Sequence, residues 1–237
     1  MKKLALIVCV VISSSLSAQV DLDSLFYDGT DTTGLAQEIA NDEKGWVWTD
    51  SISSEDFVAI DGKVNAMTKK YKSVDALSKD LATMFPDEVD YVRAAFIWIA
   101  YNITYDRELA NDREKLMREV PSFNNRKEEM EFWTKEYKDY AEGVLKNGKG
   151  VCEGYSILFY ELCKANNVKC RVIHGKATDF NTGKLSTRGH AWNQVLINGD
   201  WVYLDSTWGK YFSLNIYPTH VVNEAKTKRR NNLVGNY

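Results

Sequence analysis

Apolar side chains return every three or four residues between Val89 and Ile103. They stand at Val92, Phe96, Ile99 and Ile103, a step of i, i+4, i+7 and i+11. At 3.6 residues per turn, this spacing keeps all four side chains on one face of an α-helix. We therefore predict an amphipathic helix here, packed on a core.

A second helix is predicted from Val151 to Ala165, directly after a glycine-rich turn at 148–150. Glycines at such a turn let the chain change direction sharply before a helix begins. The apolar face of this helix carries Tyr155, Leu158, Phe159 and Leu162.

Short strand-like runs follow the second helix, at 168–174, 189–197 and 201–206. Asn198 and Gly199 separate the last two runs. This pair is a strong hairpin signal, because both central residues of a type I′ turn need positive φ. The order of elements predicts an α+β fold in which N-terminal helices pack on a small antiparallel sheet.

The hairpin also fixes which side chains can meet. If its two turn residues are central, Ile197 pairs with Asp200, and His190 lies opposite Thr207. Asp205 is then a diagonal neighbour of His190 on the same sheet face, about 7–8 Å away between Cα atoms. A register shifted by one residue would place the two on opposite faces.

Composition narrows the class of protein. A chain of 237 residues with 44% hydrophobic and 27% charged residues predicts one folded domain. The net charge of -3 provides no broad basic field, so we expect no nucleic-acid partner. The basic cluster at 226–230 is expected to be a solvated tail rather than a nucleic-acid or membrane patch. The oligomeric state stays open.

The first 18 residues have the order of a secretory signal peptide. Lys2 and Lys3 precede an apolar run at 4–12, and small residues lead up to Ala18. The run is shorter than the ~20 residues that cross a bilayer. We expect cleavage near Ala18, no stable membrane insertion, and a secreted or periplasmic protein. A lipid anchor on Cys9 is the alternative, although Cys9 stands inside the apolar run.

The rest of the chain divides into a leader arm at 19–45, acidic and rich in Gly and Thr, and a domain at 46–237. Within the domain, residues 107–140 are densely charged and predict an inserted surface helix or excursion. Its aromatic residues either line a substrate groove or fasten the insertion to the domain. These residues, at helical spacing, are Trp133, Tyr137 and Tyr140.

Removal of the signal peptide leaves three cysteines, so at least one thiol has no partner within an exported chain. Cys152 stands in the first turn of the second predicted helix, where unpaired N–H groups and the helix dipole favour a thiolate. Cys163 and Cys170 lie in apolar segments and are expected to be buried and inert. A disulfide between these two is the alternative.

Cys152, His190 and Asp205 follow one another in the order of an activated sulfur nucleophile. In such a group the imidazole accepts the thiol proton, and the carboxylate orients the imidazole. The sequence contains no HExxH, paired CxxC, P-loop or dinucleotide-binding fingerprint. We therefore expect neither a metal nor a cofactor.

Around these residues the chain resembles the transglutaminase-like superfamily of papain-like cysteine enzymes. The resemblance covers about 88–106 and 142–210, where three blocks follow an upstream helix that ends in a Tyr-Asp pair at 105–106. The blocks are Gly150-Val151-Cys152-Glu153-Gly154-Tyr155, Gly189-His190-Ala191-Trp192-Asn193 and Trp201-Val202-Tyr203-Leu204-Asp205-Ser206-Thr207-Trp208-Gly209.

The resemblance implies a papain-like fold for the domain at 46–237. It also implies roles: Cys152 as nucleophile, His190 as base and then acid, and Asp205 as the group that orients His190. The backbone N–H of Cys152 would be one oxyanion donor.

Aromatic residues near these blocks are the candidates for substrate binding. The second oxyanion donor is sought among Tyr105, Trp133 and Tyr155. Trp192, Trp201 and Trp208 are candidate walls of the acyl site, with core packing as the alternative role for each.

The function implied is an exported cysteine enzyme that acts on protein or peptide amide bonds through a thioester on Cys152. Water would resolve the thioester in a peptidase or amidase, and an amine would resolve it in a transglutaminase. The sequence favours neither outcome. The alternative is a catalytically silent module that binds protein or cell-wall peptide in the same groove, which the presence of all three triad residues disfavours.

Overall fold

The computed structural model describes residues 18–21, 54–112, 117–177, 185–209 and 220–222. The backbone alone is described for residues 18–21, 54–56, 117–119, 200 and 220–222. The predicted signal peptide up to residue 17, the leader arm after residue 21 and the basic cluster at 226–230 lie outside these residues.

The described residues form six helices and eight strands. The helices are α1 (Ser54–Asn65), α2 (Val74–Met84), α3 (Glu88–Asn102), α4 (Arg107–Asn111), α5 (Arg126–Asn147) and α6 (Cys152–Ala165). The strands are β1 (Ala18–Asp21), β2 (Thr104–Tyr105), β3 (Met117–Val120), β4 (Lys149–Gly150), β5 (Cys170–Ala177), β6 (His190–Ile197), β7 (Asp200–Leu204) and β8 (His220–Val222).

Four of the strands form one antiparallel sheet in the order β7-β6-β5-β8. The predicted hairpin between β6 and β7 is confirmed, with Asn198 at φ 53° and Gly199 at φ 93°. Its register is also the predicted one, because Ile197 pairs with Asp200. Helices precede this sheet along the chain, so the predicted α+β fold with a small antiparallel sheet is confirmed.

The hairpin ladder is shorter than the sequence predicted. It ends at the pair Asn193 and Leu204, so His190 and Thr207 do not pair. Over its first three residues β6 is held by β5 alone, up to the pair His190 and Gly175. The chain after β7 is therefore free of the ladder and turns back beside the start of β6.

α6 is the central element of the core. Every residue from Cys152 to Cys163 is buried, so helices and sheet cover this helix on all sides. Its far end is held by the Tyr91 hydroxyl of α3, which donates a hydrogen bond to the Leu162 carbonyl oxygen at 2.7 Å. The observed start at Cys152, after the cap residue Val151, confirms the predicted helix to within one residue.

The charged segment at 107–140 is more deeply built into the fold than the predicted surface excursion. Over 126–147 it is the helix α5, whose inner stripe is buried while its charged residues face outward. The aromatic residues Trp133 and Tyr137 belong to the core and fasten this helix to the domain. Although α5 has 22 residues, no helix among the described ranges is long and apolar enough to cross a membrane. The buried stripe consists of Trp133, Tyr137, Ala141, Val144 and Leu145.

Close packing of α5 against α6 explains the glycine two residues after Cys152. A Cβ on Gly154 would lie 2.9 Å from Val144 Cγ2, whereas a Cβ on Gly143 of α5 would meet no atom within 4 Å. Both glycines are inside helices, where alanine is ordinarily better by about 0.5–1 kcal/mol.

We expect Gly154→Ala to lower the free energy of unfolding by about 1–3 kcal/mol, because the new methyl overpacks the interface between the two helices. Gly143→Ala is the matched control and is expected to raise it by about 0.5–1 kcal/mol. Urea denaturation of both variants measures the difference, and a stabilised Gly154→Ala protein would contradict the close approach.

Candidate active site

The start of α6 is fixed by a short parallel ladder. Thr104 N–H donates to the Gly148 carbonyl oxygen and Asp106 N–H donates to the Gly150 carbonyl oxygen, each at 2.9 Å. Gly148 adopts φ 65°, in the left-handed region, and ends α5 there. This geometry confirms the predicted glycine-rich turn and delivers Cys152 to the first turn of a helix, where backbone N–H groups are unpaired.

The predicted contact between His190 and Asp205 forms beyond the end of the hairpin ladder rather than within it. His190 Nε2 lies 2.6 Å from Asp205 Oδ2, and both residues are buried. The second carboxylate oxygen of Asp205, Oδ1, accepts a hydrogen bond from Thr207 N–H at 3.0 Å. Each oxygen of the carboxylate thus has a partner, and the carboxylate holds the imidazole ring in place.

The thiol of Cys152 completes the group through a hydrogen bond with His190. Because Nε2 is taken by Asp205, the ring nitrogen that faces the sulfur is Nδ1. The structure therefore brings all three predicted residues together, from the start of α6, the start of β6 and the position directly after β7.

The charge state of His190 follows from its neighbours. Burial by itself lowers the pKa of His190, because a buried imidazolium loses its hydration. The negative charge of Asp205 and the hydrogen bonds with Asp205 and Cys152 outweigh burial and raise the pKa of His190 to about 10. At neutral pH the ring is therefore a cation beside the sulfur.

Two tryptophans stack on the imidazole. The ring of Trp208 lies 4.6 Å from the His190 ring at an interplanar angle of 15°, and the ring of Trp192 lies 5.8 Å away at 26°. The turn that carries Trp208 packs tightly on α3, since a Cβ on Gly209 would lie 2.7 Å from Phe96 Cζ. Two of the three candidate wall residues, Trp192 and Trp208, thus contact His190 itself, whereas Trp201 stacks on Arg171.

Trp208→Ala is expected to lower the pKa of His190 by about one unit or more, because water then screens the attraction of Asp205, and this attraction outweighs the opposing effect of burial. Histidine ¹⁵N shifts followed through a pH titration measure this value. Trp201→Ala is the control, because Trp201 stacks on Arg171 at 3.8 Å instead of on the imidazole. An unchanged titration in the Trp208 variant would show that the indole does not shield the pair.

The remaining aromatic candidates lie at different depths. Tyr155 is buried, and its hydroxyl donates to the Ile103 carbonyl oxygen at 2.7 Å, which is a structural bond. Trp133 is in the core on α5, with its ring 5.1 Å from that of Phe132. Tyr105 is 40% exposed, with its ring 6.4 Å from the Tyr155 ring. Only Tyr105 of these three is presented at the surface.

One wall beside the nucleophile was not predicted. Leu109 and Ala110 of the short helix α4 pack against a cluster of Val151, Cys152 and Ala191. The sequence signal for this helix is Asp106, which caps its first turn and directly precedes the segment predicted as a surface helix or excursion. Apolar side chains therefore border Cys152 on the α4 side.

The other two cysteines are separate from this site. Cys163 and Cys170 are buried free thiols, so the alternative disulfide between them is not formed. Burial and contact with Cys170 raise the pKa of the Cys163 thiol well above its usual value. Within the described ranges, His, Cys, Asp and Glu side chains form no group of three or more suited to a metal ion.

Comparison with known proteins places this geometry in a family. Residues 115–206 match the model of the transglutaminase-like superfamily core. The Kyphoscoliosis peptidase of Mus musculus is 30% identical over 157 residues, which are 65% of this chain and 20% of that protein. The Lim and transglutaminase domain protein ltd-1 of Caenorhabditis elegans is 27% identical over 177 residues, 70% of this chain and 20% of that protein.

The chain thus spans about a fifth of the length of these curated relatives. Among solved structures, the periplasmic domain of TgpA from Pseudomonas aeruginosa aligns with a TM-score of 0.39 and 16% identity, covering 67% of this chain and 49% of that one. The family match begins at residue 115 and so includes most of the segment between 106 and 142 that the sequence resemblance had left out. The matched range contains Cys152, His190 and Asp205, so this part of the chain is similar to the transglutaminase-like superfamily core.

Proposed function

We propose that this domain is a cysteine enzyme that acts on protein or peptide amide bonds through a thioester on Cys152. The observation that carries the proposal is the buried contact of 2.6 Å between His190 and Asp205, with the imidazole also hydrogen bonded to the Cys152 thiol. A carboxylate and a cationic imidazole in this order activate a sulfur nucleophile.

The proposed reaction has two steps. In the first, the Cys152 thiolate attacks the amide carbonyl carbon and a C–S bond forms. The resulting oxyanion accepts a hydrogen bond from the backbone N–H at the start of α6. The C–N bond then breaks, and His190 Nδ1–H protonates the leaving amine. Because His190 is already charged at neutral pH, it acts first as an acid rather than as a base.

In the second step, His190 Nδ1 accepts a proton from water or from an amine as that group attacks the thioester carbon. The C–S bond breaks and the Cys152 thiolate is restored. Attack by water makes the enzyme a peptidase or amidase, and attack by an amine makes it a transglutaminase. The apolar α4 wall beside Cys152 and the exposed Tyr105 ring are features of the groove in which either acceptor would arrive.

The name of the mouse relative, Kyphoscoliosis peptidase, supports the hydrolytic version for this chain. The signal-peptide pattern at 1–18 supports an exported enzyme, and a protein or peptide substrate follows from the proposed chemistry. Edman sequencing of protein recovered from the medium or periplasm tests export, with a mature N-terminus just after Ala18 as the expected result.

Iodoacetamide alkylation, resolved by peptide mass, tests the active site without a known substrate. Cys152 is expected to react near pH 6, well below the ~8.5 at which an unperturbed thiol titrates. The buried Cys163 and Cys170 are internal controls that should stay unmodified. A Cys152 that reacts only above about pH 8 would overturn the enzyme and leave the silent binding module.

Incubation with denatured casein and a fluorescent primary amine then separates the two reactions. New peptide N-termini report hydrolysis, and fluorescence bound to casein reports acyl transfer. Both signals should be lost in Cys152→Ala.

A further inference from the structure

Asn193 is a buried amide in the middle of the sheet, three residues after His190 on β6. It pairs with Val172 on β5 and with Leu204 on β7, so both neighbouring strands fix its backbone. Its side chain leaves the sheet and donates from Nδ2 to the Ser156 carbonyl oxygen of α6 at 2.9 Å. Asn193 thereby connects the histidine strand directly to the nucleophile helix.

The orientation of the Asn193 amide is set by two acceptors. Nδ2 also donates to the Arg171 carbonyl oxygen of β5 at 3.2 Å and lies 3.7 Å from Cys170 Sγ. Carbonyl oxygens accept and do not donate, so they place the NH₂ group, and not Oδ1, on this side. One side chain therefore ties β5, β6 and α6 together at a single point.

Ser156 continues this connection to the nucleophile. Its carbonyl oxygen accepts from Asn193, and its hydroxyl Oγ donates to the Cys152 carbonyl oxygen at 2.9 Å. Both residues are buried, with Ser156 and Asn193 each 1% exposed. A continuous chain of hydrogen bonds thus runs from β6 through Ser156 to the backbone of Cys152.

The position of this link suits it to control the distance between the catalytic groups. His190 is three residues from Asn193 along β6, which is about 10 Å in a strand. Cys152 is four residues from Ser156 along α6, which is about 6 Å in a helix. Both catalytic residues lie toward the N-terminal ends of their elements. A small rotation of α6 against β6 at the link would therefore separate sulfur from imidazole, and a misplacement of 1 Å can cost about 10²-fold in rate.

The buried oxygen of Asn193 indicates that the link is not there for stability alone. Oδ1 of Asn193 is buried without a hydrogen-bond partner among the described residues. Leaving a buried acceptor unpaired is unfavourable, and an apolar side chain of similar size would avoid that cost. What the amide adds over such a side chain is a fixed orientation between β6 and α6.

We propose that Asn193 is a positioning residue, which holds His190 at hydrogen-bond distance from Cys152 by anchoring β6 to Ser156. The inference rests on the proposed function, because it concerns the reactivity of the Cys152 sulfur. It assigns Asn193 no contact with substrate.

Asn193→Leu tests the proposal, since it keeps the volume of the side chain and removes its donors. Asn193→Ala is a second variant, which introduces no bulk. The alkylation rate is measured on whichever of the two variants retains the wild-type circular dichroism spectrum. Tyr91→Phe is the matched control, because it removes a buried hydrogen bond of 2.7 Å from the far end of the same helix. The readouts are the melting temperature and the alkylation rate of Cys152 near pH 6.

We expect Cys152 in the Asn193 variant to be alkylated at about a tenth of the wild-type rate or less. The Tyr91→Phe variant should keep the wild-type rate, although the two variants have similar melting temperatures. Wild-type reactivity in the Asn193 variant would overturn the positioning role. An equal loss in Tyr91→Phe would also overturn it, since general loosening of α6 would then explain both. A wild-type protein without early Cys152 reactivity would instead refute the proposed function, so the two failures are distinct.

Discussion

In the His190→Gln variant, alkylation of Cys152 near pH 6 is expected to be slower than in the wild-type protein by ~10²-fold or more. The imidazolium that favours a thiolate is lost, so the sulfur reacts only as the pH approaches the ~8.5 of an ordinary thiol. Glutamine can still donate a hydrogen bond to Asp205, which preserves the buried contact in the folded protein. Peptide-resolved alkylation across a pH series measures the effect.

His174→Gln is the matched control for this experiment. His174 is also fully buried and lies on the neighbouring strand β5, opposite Ala191. Its replacement removes a buried imidazole from the same sheet and leaves Cys152, His190 and Asp205 unchanged. Alkylation of Cys152 near pH 6 should therefore persist. If Cys152 keeps its reactivity in His190→Gln, the sulfur is activated by the helix terminus alone and the pairing with histidine is irrelevant.

The parts of the site that could be predicted from the sequence rest on short-range signals. The turn residues Asn198 and Gly199 dictate the register of the hairpin, and this register places Asp205 near the start of β6, although the ladder itself ends at Asn193 and Leu204. Likewise, the glycine-rich turn before α6 places Cys152 in a first helical turn. In both cases a local conformational preference decides a long-range contact, so no knowledge of the packing was needed. The catalytic roles of the three residues stay predictions.

The parts that escaped prediction depend on packing between distant segments. The segment at 107–140 was predicted as an inserted surface helix or excursion because charge dominates its composition, and the buried stripe of α5 that continues beyond Trp133 and Tyr137 was not predicted. Trp208 stacks on His190 only because the turn that follows Asp205 docks on α3. The link from Asn193 to Ser156 joins a strand to a helix 37 positions earlier in the chain. An Asn within an apolar strand is its only sequence signal.

Asp205→Asn is expected to lower the pKa of His190 from about 10 toward the ordinary value, because its charge is the main force that opposes burial. At about pH 7.5 the imidazole is then mostly neutral and no longer favours a thiolate, so alkylation of Cys152 at that pH should slow by about tenfold. Asparagine keeps the size and an oxygen acceptor at this position, so the change is one of charge. The histidine ¹⁵N titration and the alkylation series measure the two effects.

The same substitution should change how stability depends on pH. In the wild-type protein the folded state keeps the His190 proton up to about pH 10, whereas an unfolded histidine loses it near ~6.5. The stabilisation is therefore complete below about pH 6.5 and is lost as the pH rises to about 10. In Asp205→Asn this decline should be much smaller when urea denaturation is repeated across the range.

Asp106→Asn is the control for that stability measurement. Asp106 lies near the site, where it caps α4 and pairs with Lys149 at 3.0 Å, but the Leu109 N–H and Lys149 hold its pKa below the usual value. It therefore stays charged throughout the alkaline range and should leave the decline unchanged. If the free energy of unfolding falls equally with rising pH in the wild type and in Asp205→Asn, Asp205 does not hold the proton on His190. The contact of 2.6 Å would then orient the ring without charging it, and His190 would have to act as a base before it could act as an acid.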